Sequence, residues 1–117
     1  MTFPHIIPGG NYQTTGFTLT DTSETTVYTV PSSGFREGII LQEIWAADED
    51  GTANTLLVKV GIGGTDYTIG QAEVVTAASH VQLNPAIVMK AGDTIKLTAG
   101  SATIDGYVTV FQPTASV

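Results

Sequence analysis

The sequence predicts an all-β fold, an antiparallel β-sandwich of jelly-roll or immunoglobulin-like topology with roughly seven to nine short strands. Three observations support this prediction. Short runs alternate apolar and polar residues, turn residues recur about every eight to twelve positions, and no segment has the spacing of an amphipathic helix. Threonine and valine dominate the runs, and β-branched side chains suit a pleated surface. Because one face of each run is apolar, we expect two sheets that face each other across one core.

The 117 residues fit a single domain. We predict an irregular N-terminal arm at residues 1–15, a β-sandwich domain at residues 16–112 and a short polar tail at residues 113–117. Pro4 and Pro8 are incompatible with helix and with a central strand, which is why the arm is predicted to be irregular.

Three apolar side chains of this arm, Phe3, Ile6 and Ile7, are predicted partner-contact residues. Apolar residues are unusual in a free tail, so the arm is expected either to fold back on its own domain or to dock on a neighbouring subunit. Docking would add a strand to the edge of the neighbour's sheet. Plain disorder is the third alternative.

The first half of the domain contains three alternating runs. Residues 16–20 and residues 25–30 are predicted strands, and the second stops at Pro31. Residues 39–45 form the most apolar run and are predicted to be a central strand. The acidic segment at residues 48–52 follows, and we expect it to be a solvated hairpin turn.

Two adjacent glycines, Gly63 and Gly64, lie between the predicted strands 55–60 and 66–69 and indicate a hairpin. Residues 72–79 are ambiguous, because Ala and Glu permit a helical turn whereas two valines favour strand. The remaining predicted strands, separated by Pro85 and by a glycine-containing loop, are residues 80–84, 87–89, 94–98 and 106–111.

Charge and composition exclude several functions. The formal net charge is −7, and the four basic residues are scattered along the chain. Nucleic acids and anionic membranes both require clustered positive charge, so neither is an expected partner. Apolar runs fall far short of the roughly 20 residues of a membrane span. Without cysteine, disulfides and thiolate metal sites are impossible.

Histidines and carboxylates do not form a catalytic pattern. His5 lies in the arm, and His80 follows Ser79 in a strand, where neighbouring side chains point to opposite faces. Glu43 and Trp45 share a face and could mark a sugar site, although such a glutamate more often faces solvent or pairs with a base. We therefore predict no enzymatic activity, no catalytic residue and no cofactor.

Asp48 and Asp50 place carboxylates at alternate positions, as in calcium-binding loops. The EF-hand pattern does not fit, because Gly51 stands at the fourth position instead of the sixth, and Lys59 replaces the bidentate glutamate. We predict no metal site, and cation binding by the two aspartates stays an open question. Trp45 is predicted to be either a partner-contact residue or a core aromatic residue.

Several segments resemble small structural proteins from the virions of tailed bacteriophages. They are residues 27–31, 39–45, 55–61, 87–99 and 106–111, and the resemblance covers about residues 25–112. Its strongest part is the unit in which an apolar strand, an Ala91-Gly92-Asp93 turn and an alternating strand precede a closing strand. Glycine supplies positive φ in such a turn, and the aspartate carboxylate caps it.

The resemblance implies a non-enzymatic phage virion protein, made in the host cytoplasm and carried in the particle. A head decoration (cement) protein that stabilises the capsid by lattice contacts is the expected role. The implied partners are the major capsid protein or other virion proteins, with self-association into a homo-oligomer, a trimer being favoured. A tail, neck or fibre component is one alternative, and a carbohydrate-binding module that stacks sugars on Trp45 or the tyrosines is another.

Overall fold

The computed structural model of the chain describes residues 10–32, 38–75, 79–101 and 103–113. The regular structure in these ranges is β-strand throughout. The strands are β1 (Gly10–Leu19), β2 (Thr25–Thr29), β3 (Ile39–Asp48), β4 (Asn54–Ile62), β5 (Thr65–Val75), β6 (His80–Leu83), β7 (Ile87–Met89), β8 (Thr94–Ala99) and β9 (Ile104–Pro113). Over the same ranges, there is no helix of the length and apolarity needed to cross a bilayer.

The strands form two antiparallel sheets. Sheet A has the order β1-β9-β3-β6, with β7 also paired to β3, and sheet B has the order β2-β8-β4-β5. Strands β6 and β7 follow one another along the same side of β3, so together they occupy the place of one interrupted strand. The pairings are then nested: first strand with last, second with second last, and so inward to β4 with β5. This nesting is the jelly-roll alternative of the prediction.

The inner faces of the two sheets enclose one apolar core. Alternate residues of β3, β4, β8 and β9 are buried, as the predicted alternation requires. Truncating a fully buried Leu or Ile in such a core typically costs about 2–5 kcal/mol. The buried apolar residues are Leu19, Val30, Ile39, Leu41, Ile44, Ala46, Leu56, Val58, Val60, Met89, Ile95, Leu97, Ala99, Ile104, Val108 and Val110.

Three local predictions are confirmed. Strand β3 is central in sheet A, with β9 on one side and β6 and β7 on the other. The β4–β5 hairpin turns at Gly63 (φ 61°) and Gly64 (φ 87°), the positive φ pair of a two-residue turn. In the turn before β8, Gly92 has φ 88°, and the Asp93 carboxylate accepts a hydrogen bond from the Lys90 backbone N–H at 2.8 Å.

Asp93 also joins three parts of the sandwich. Its Oδ1 accepts a hydrogen bond from the backbone N–H of Gly63 in the β4–β5 hairpin at 3.1 Å. Its carbonyl accepts one from the Val30 N–H at the end of β2 at 2.9 Å. Asp93 is 8% exposed, so these bonds form largely away from water. The turn before β8 therefore holds the end of β2 and the turn of the β4–β5 hairpin close together.

The structure corrects two predicted boundaries. Strand β1 begins at Gly10, so residues 10–15 are strand and the prediction of irregular structure is wrong for them. These residues pair in register with β9, from Gly10 opposite Pro113 onward, and a polar sequence is tolerated because β1 is an edge strand. The segment at residues 72–79 was ambiguous between helix and strand, and its residues 72–75 belong to strand β5.

The acidic segment at residues 48–52 is not a hairpin turn, and that prediction is wrong. It connects β3 in sheet A to β4 in sheet B, so it passes from one layer to the other. Asp48 is 7% exposed instead of solvated, because its carboxylate organises this crossing. Its Oδ1 accepts hydrogen bonds from the backbone N–H groups of Asp50 and Thr52 at 2.9 and 3.2 Å.

Tyr28 in β2 provides a first testable prediction. Its hydroxyl oxygen is buried and has no hydrogen-bond partner among the described residues, and burial raises its pKa. Tyr28→Phe should therefore raise the free energy of unfolding by about 1 kcal/mol, because it removes an unpaired buried polar group. Because the folded pKa is raised, the tyrosine does not titrate in either state below its ordinary pKa, and stability falls as the pH rises above that value toward the folded one, so the gain from Tyr28→Phe should be larger at alkaline pH. Urea unfolding at neutral and alkaline pH measures both effects, and an equal or lower stability of the variant would contradict the burial of an unpaired hydroxyl.

Candidate interaction surface

The outer face of sheet A carries an apolar row that crosses the whole sheet. Tyr12 on β1 lies opposite Phe111 on β9, Phe111 lies opposite Ile40 on β3, and Ile40 lies opposite Val88 on β7. We call these four residues the apolar band. Tyr12 is 54% exposed and Val88 is 58% exposed. The rings of Tyr12 and Phe111 meet edge to face, with centroids 5.1 Å apart. The band is thus continuous and accessible at both ends.

A stack of three rings stands on the same face. Trp45 on β3 lies opposite Tyr107 on β9, and the two rings are stacked with centroids 5.6 Å apart and planes 6° from parallel. On its other side, toward β6, the indole stacks on His80 with centroids 5.1 Å apart. Since β9 and β6 flank β3 on opposite sides, both faces of the indole are covered. Trp45 alternates with the buried residues Ile44 and Ala46, so its half-buried side chain lies on the outer face and outside the core, and the core alternative of its prediction is wrong.

Glu43 lies between the apolar band and the stack and is held by two donors. It accepts a hydrogen bond from the side-chain amide of Gln82. It also accepts one from the hydroxyl of Tyr107, and this bond raises the pKa of Tyr107. Glu43 shares the face of Trp45, as predicted, but its hydrogen-bond donors are neutral side chains and not a basic residue. The carboxylate thus fixes the neighbouring aromatic ring in place.

The outer face of sheet B is different in kind. Its central strand β8 presents Lys96 between threonines, and the Lys96 ammonium pairs with Asp66 at 3.0 Å. On β4, Lys59 pairs with Glu24 at 3.7 Å, and Leu57 is half-buried nearby. Exposed ion pairs of this type contribute little to stability, but they keep a surface hydrated. The two outer faces are therefore unequal, with aromatic and apolar side chains concentrated on sheet A.

Asp48 is one of the two aspartates whose cation binding the sequence left open, and its carboxylate is bonded to donors of the protein itself. The Asp48 carboxylate accepts hydrogen bonds at Oδ1 from the Thr52 hydroxyl at 3.1 Å and at Oδ2 from the Asn54 amide at 2.9 Å, besides its backbone donors. The Asn54 bond is the largest cause of a lowered Asp48 pKa. Among the residues that the structure describes, no group of three or more His, Asp or Glu side chains could hold a metal ion.

The predicted contact residues of the arm, Phe3, Ile6 and Ile7, lie outside the described residues. Of the predicted partner-contact residues, Trp45 is among the described residues, and it lies on the outer face of sheet A. The apolar band and the partners of Trp45 were not predicted, because Tyr107, His80 and Val88 come next to β3 through pairings between distant strands. The alternation of apolar and polar residues does predict that these three side chains point outward, but it does not predict that they become neighbours.

A scan against protein-family models finds no match, and a search of curated proteins finds none either. Among solved structures, the fold is similar to a chain of the cyanophage Pam1 capsid asymmetric unit, with a TM-score of 0.53 and 18% sequence identity over 98% of this chain and 93% of that chain. It is also similar to a chain from the disulfide-linked pili of Bacillus endospore appendages, with a TM-score of 0.55 and 12% identity over 98% of this chain and 97% of that one. At these identities the likeness establishes the fold.

Proposed function

We propose that the protein is a non-enzymatic structural component of a tailed-phage virion, and that it decorates the head by binding the major capsid protein. The apolar band on the outer face of sheet A is the observation that carries this proposal. A continuous apolar row on one face of a domain, with both of its ends more than half exposed, favours a protein-contact surface. The similarity of the fold to a chain of a cyanophage capsid supports the same class of function.

The construction of this face suits adhesion better than chemistry. Each side chain that could act as an acid or a base there contacts a neighbour: Glu43 accepts hydrogen bonds from Gln82 and Tyr107, and His80 stacks on Trp45. Ring stacking and hydrogen bonding fix the rotamers before any partner binds, which lowers the entropy cost of association. A pre-organised surface of this kind supports lattice contacts.

A carbohydrate-binding module is the weaker alternative. Sugars bind such modules by stacking on an open aromatic face. Here Tyr107 and His80 cover the two faces of the Trp45 indole, so a sugar would have to displace one of them. The two exposed tyrosines, Tyr12 and Tyr67, lie on strands of different sheets and do not form one stacking platform. A tail, neck or fibre position requires the same kind of contact surface as a head position, and the location of the protein in the particle distinguishes the two.

Electron microscopy of virions tests the location. Virions are purified from cells infected with the phage that encodes the chain, and a tag-specific gold label marks the C-terminus of the protein. We expect label spread over the head at many sites. Label confined to the tail or neck would replace the head assignment with the tail alternative, and purified virions without label would contradict the virion proposal.

A charge placed in the apolar band tests the binding surface. Val88→Asp puts a carboxylate on an exposed position at the β7 edge of sheet A, and desolvating it on binding should weaken capsid affinity at least tenfold, which corresponds to about 1.4 kcal/mol. Thr68→Asp makes the same charge change on the exposed outer face of sheet B and is the matched control. Particle occupancy at several protein concentrations measures both variants. Equal occupancy would show that sheet A does not face the capsid.

A further inference from the structure

We propose that strand β1 pairs with β1 of a second copy, antiparallel, about a twofold axis at Thr14, so that sheet A continues from one copy into the other. Strand β1 lies at the edge of sheet A, and β9 is its one partner among the described strands. Its other side presents backbone N–H and C=O groups that a further strand can bind.

The other described edge strands have features that protect against such pairing, whereas β1 itself has none of these features. Strand β2 has five residues and an irregular register, and β6 and β7 have four and three residues. Strand β5 has acidic residues in its sequence, Asp66 and Glu73, and two register shifts. Short length, bulges and charge are the usual protections of an edge strand. In contrast, β1 is ten residues long and contains no charged residue and no proline.

The charge distribution favours a second copy of the chain as the partner at this edge. Each copy has a formal net charge of −7, so two copies repel each other over most of their surfaces. Self-association therefore requires an uncharged contact. The sequence has no Asp, Glu, Lys or Arg before Asp21, and β1 is the described strand in this stretch. Strand pairing there brings no like charges together.

The side chains of β1 are complementary to themselves. Tyr12, Thr14 and Gly16 share the outer face of the sheet, because they lie opposite the outward residues Phe111, Thr109 and Tyr107 of β9. Tyr12 projects a ring that is 54% exposed. Above Gly16 there is open space, since a Cβ added there would meet only the Gly106 carbonyl oxygen, at 3.8 Å. The strand thus has a projection and a gap at positions four residues apart.

An antiparallel twofold centred on Thr14 brings these features together twice. Thr14 then faces Thr14 of the second copy, and Tyr12 faces Gly16 of the second copy. Threonine pairs and an aromatic ring over a glycine are both favourable across neighbouring strands. Because Gly16 lies opposite Tyr107, the incoming Tyr12 would reach the end of the ring stack and extend it across the interface.

The mass of the full chain in solution tests the association. Sedimentation over a range of concentrations should show a monomer–dimer equilibrium. Thr14→Lys places two ammonium groups face to face at the axis, and Gly16→Val fills the gap, so each should weaken dimerisation at least tenfold without lowering the thermal midpoint of the monomer. Thr68→Lys, on sheet B, is the charge-matched control and should dimerise like the unmodified chain.

Single cysteines test the register, because the chain contains no cysteine of its own. Thr14→Cys lies opposite itself and should form a disulfide-linked dimer on mild oxidation, whereas Thr18→Cys and Thr68→Cys should not. A monomer at all concentrations, a trimer insensitive to the β1 variants, or equal cross-linking at positions 14 and 68 would each overturn the proposal. The inference does not depend on capsid binding, and Val88 lies at the opposite edge of sheet A, so the two proposals can fail separately.

Discussion

Gly106→Ala should destabilise the protein by about 3 kcal/mol or more, because two strands and a ring meet at this glycine. A Cβ added at Gly106 would lie 2.0 Å from the carbonyl oxygen of Trp45 on β3 and 2.7 Å from the Phe17 ring of β1. Neither distance is possible, so β9 would have to move away from β3 in the middle of sheet A. Chemical denaturation followed by tryptophan fluorescence measures the loss, since Trp45 is the one tryptophan in the chain.

Gly16→Ala is the matched control for this variant. Gly16 lies on β1 one position from the partner of Gly106, and an added Cβ there makes an ordinary contact at 3.8 Å. Alanine in a strand loses less backbone entropy on folding than glycine, so Gly16→Ala should be neutral or stabilising by about 0.5–1 kcal/mol. A similar loss of stability in both variants would mean that backbone entropy, and not close approach, determines the result.

A double variant separates the backbone clash from the clash with the ring. Phe17→Ala removes the ring, but the Trp45 carbonyl oxygen remains where it is. Gly106→Ala should therefore still destabilise a chain that already carries Phe17→Ala. If the double variant were as stable as Phe17→Ala alone, the ring would be the whole obstacle and the close approach of β3 and β9 would be incorrect.

Local sequence patterns were enough to predict the class of the fold and most of its strands. Local patterns identified residues 39–45 and 94–98 as strands, and Gly63 with Gly64 identified the hairpin, because these features depend on residues near one another in the chain. The turn at Gly92 and Asp93 was predicted in detail for the same reason. Its function in joining β2 to the hairpin was not, since Val30 and Gly63 are distant in sequence.

The candidate surface was only partly predictable, because it depends on which strands become neighbours. Trp45 was singled out from its residue type, but Tyr107 and His80 reach it through pairings of β3 with β9 and β6. The apolar band likewise requires four strands in a particular order. The hairpin prediction at residues 48–52 failed for a related reason. A turn sequence does not specify whether the next strand returns to the same sheet or passes to the other layer.

Asn54→Ala should lower the free energy of unfolding by about 2–4 kcal/mol, because this side chain satisfies all its polar groups while 7% exposed. Its amide donates to Asp48 Oδ2 at 2.9 Å and to the Ser101 carbonyl at 2.8 Å. Its oxygen accepts from the backbone N–H groups of Thr55 and Ser101 at 2.8 and 2.9 Å. Alanine would leave the partners at the β3–β4 connection and at the β8–β9 loop unpaired. Thr52→Ala removes one hydroxyl bond to Asp48 and should cost less than about 1.5 kcal/mol.

The same variant should change the response of the protein to acid. The Asn54 amide is the main cause of the lowered Asp48 pKa. A lowered folded pKa gives stability that is present at neutral pH and is lost as the pH falls through the folded value. Without Asn54, the Asp48 pKa moves back toward its ordinary value, so less stability remains to be lost. The difference in unfolding midpoint between the unmodified chain and Asn54→Ala should therefore narrow from neutral to strongly acidic pH. A constant difference would mean that Asn54 acts through the Ser101 loop and not through Asp48, since the backbone bonds to Ser101 do not titrate.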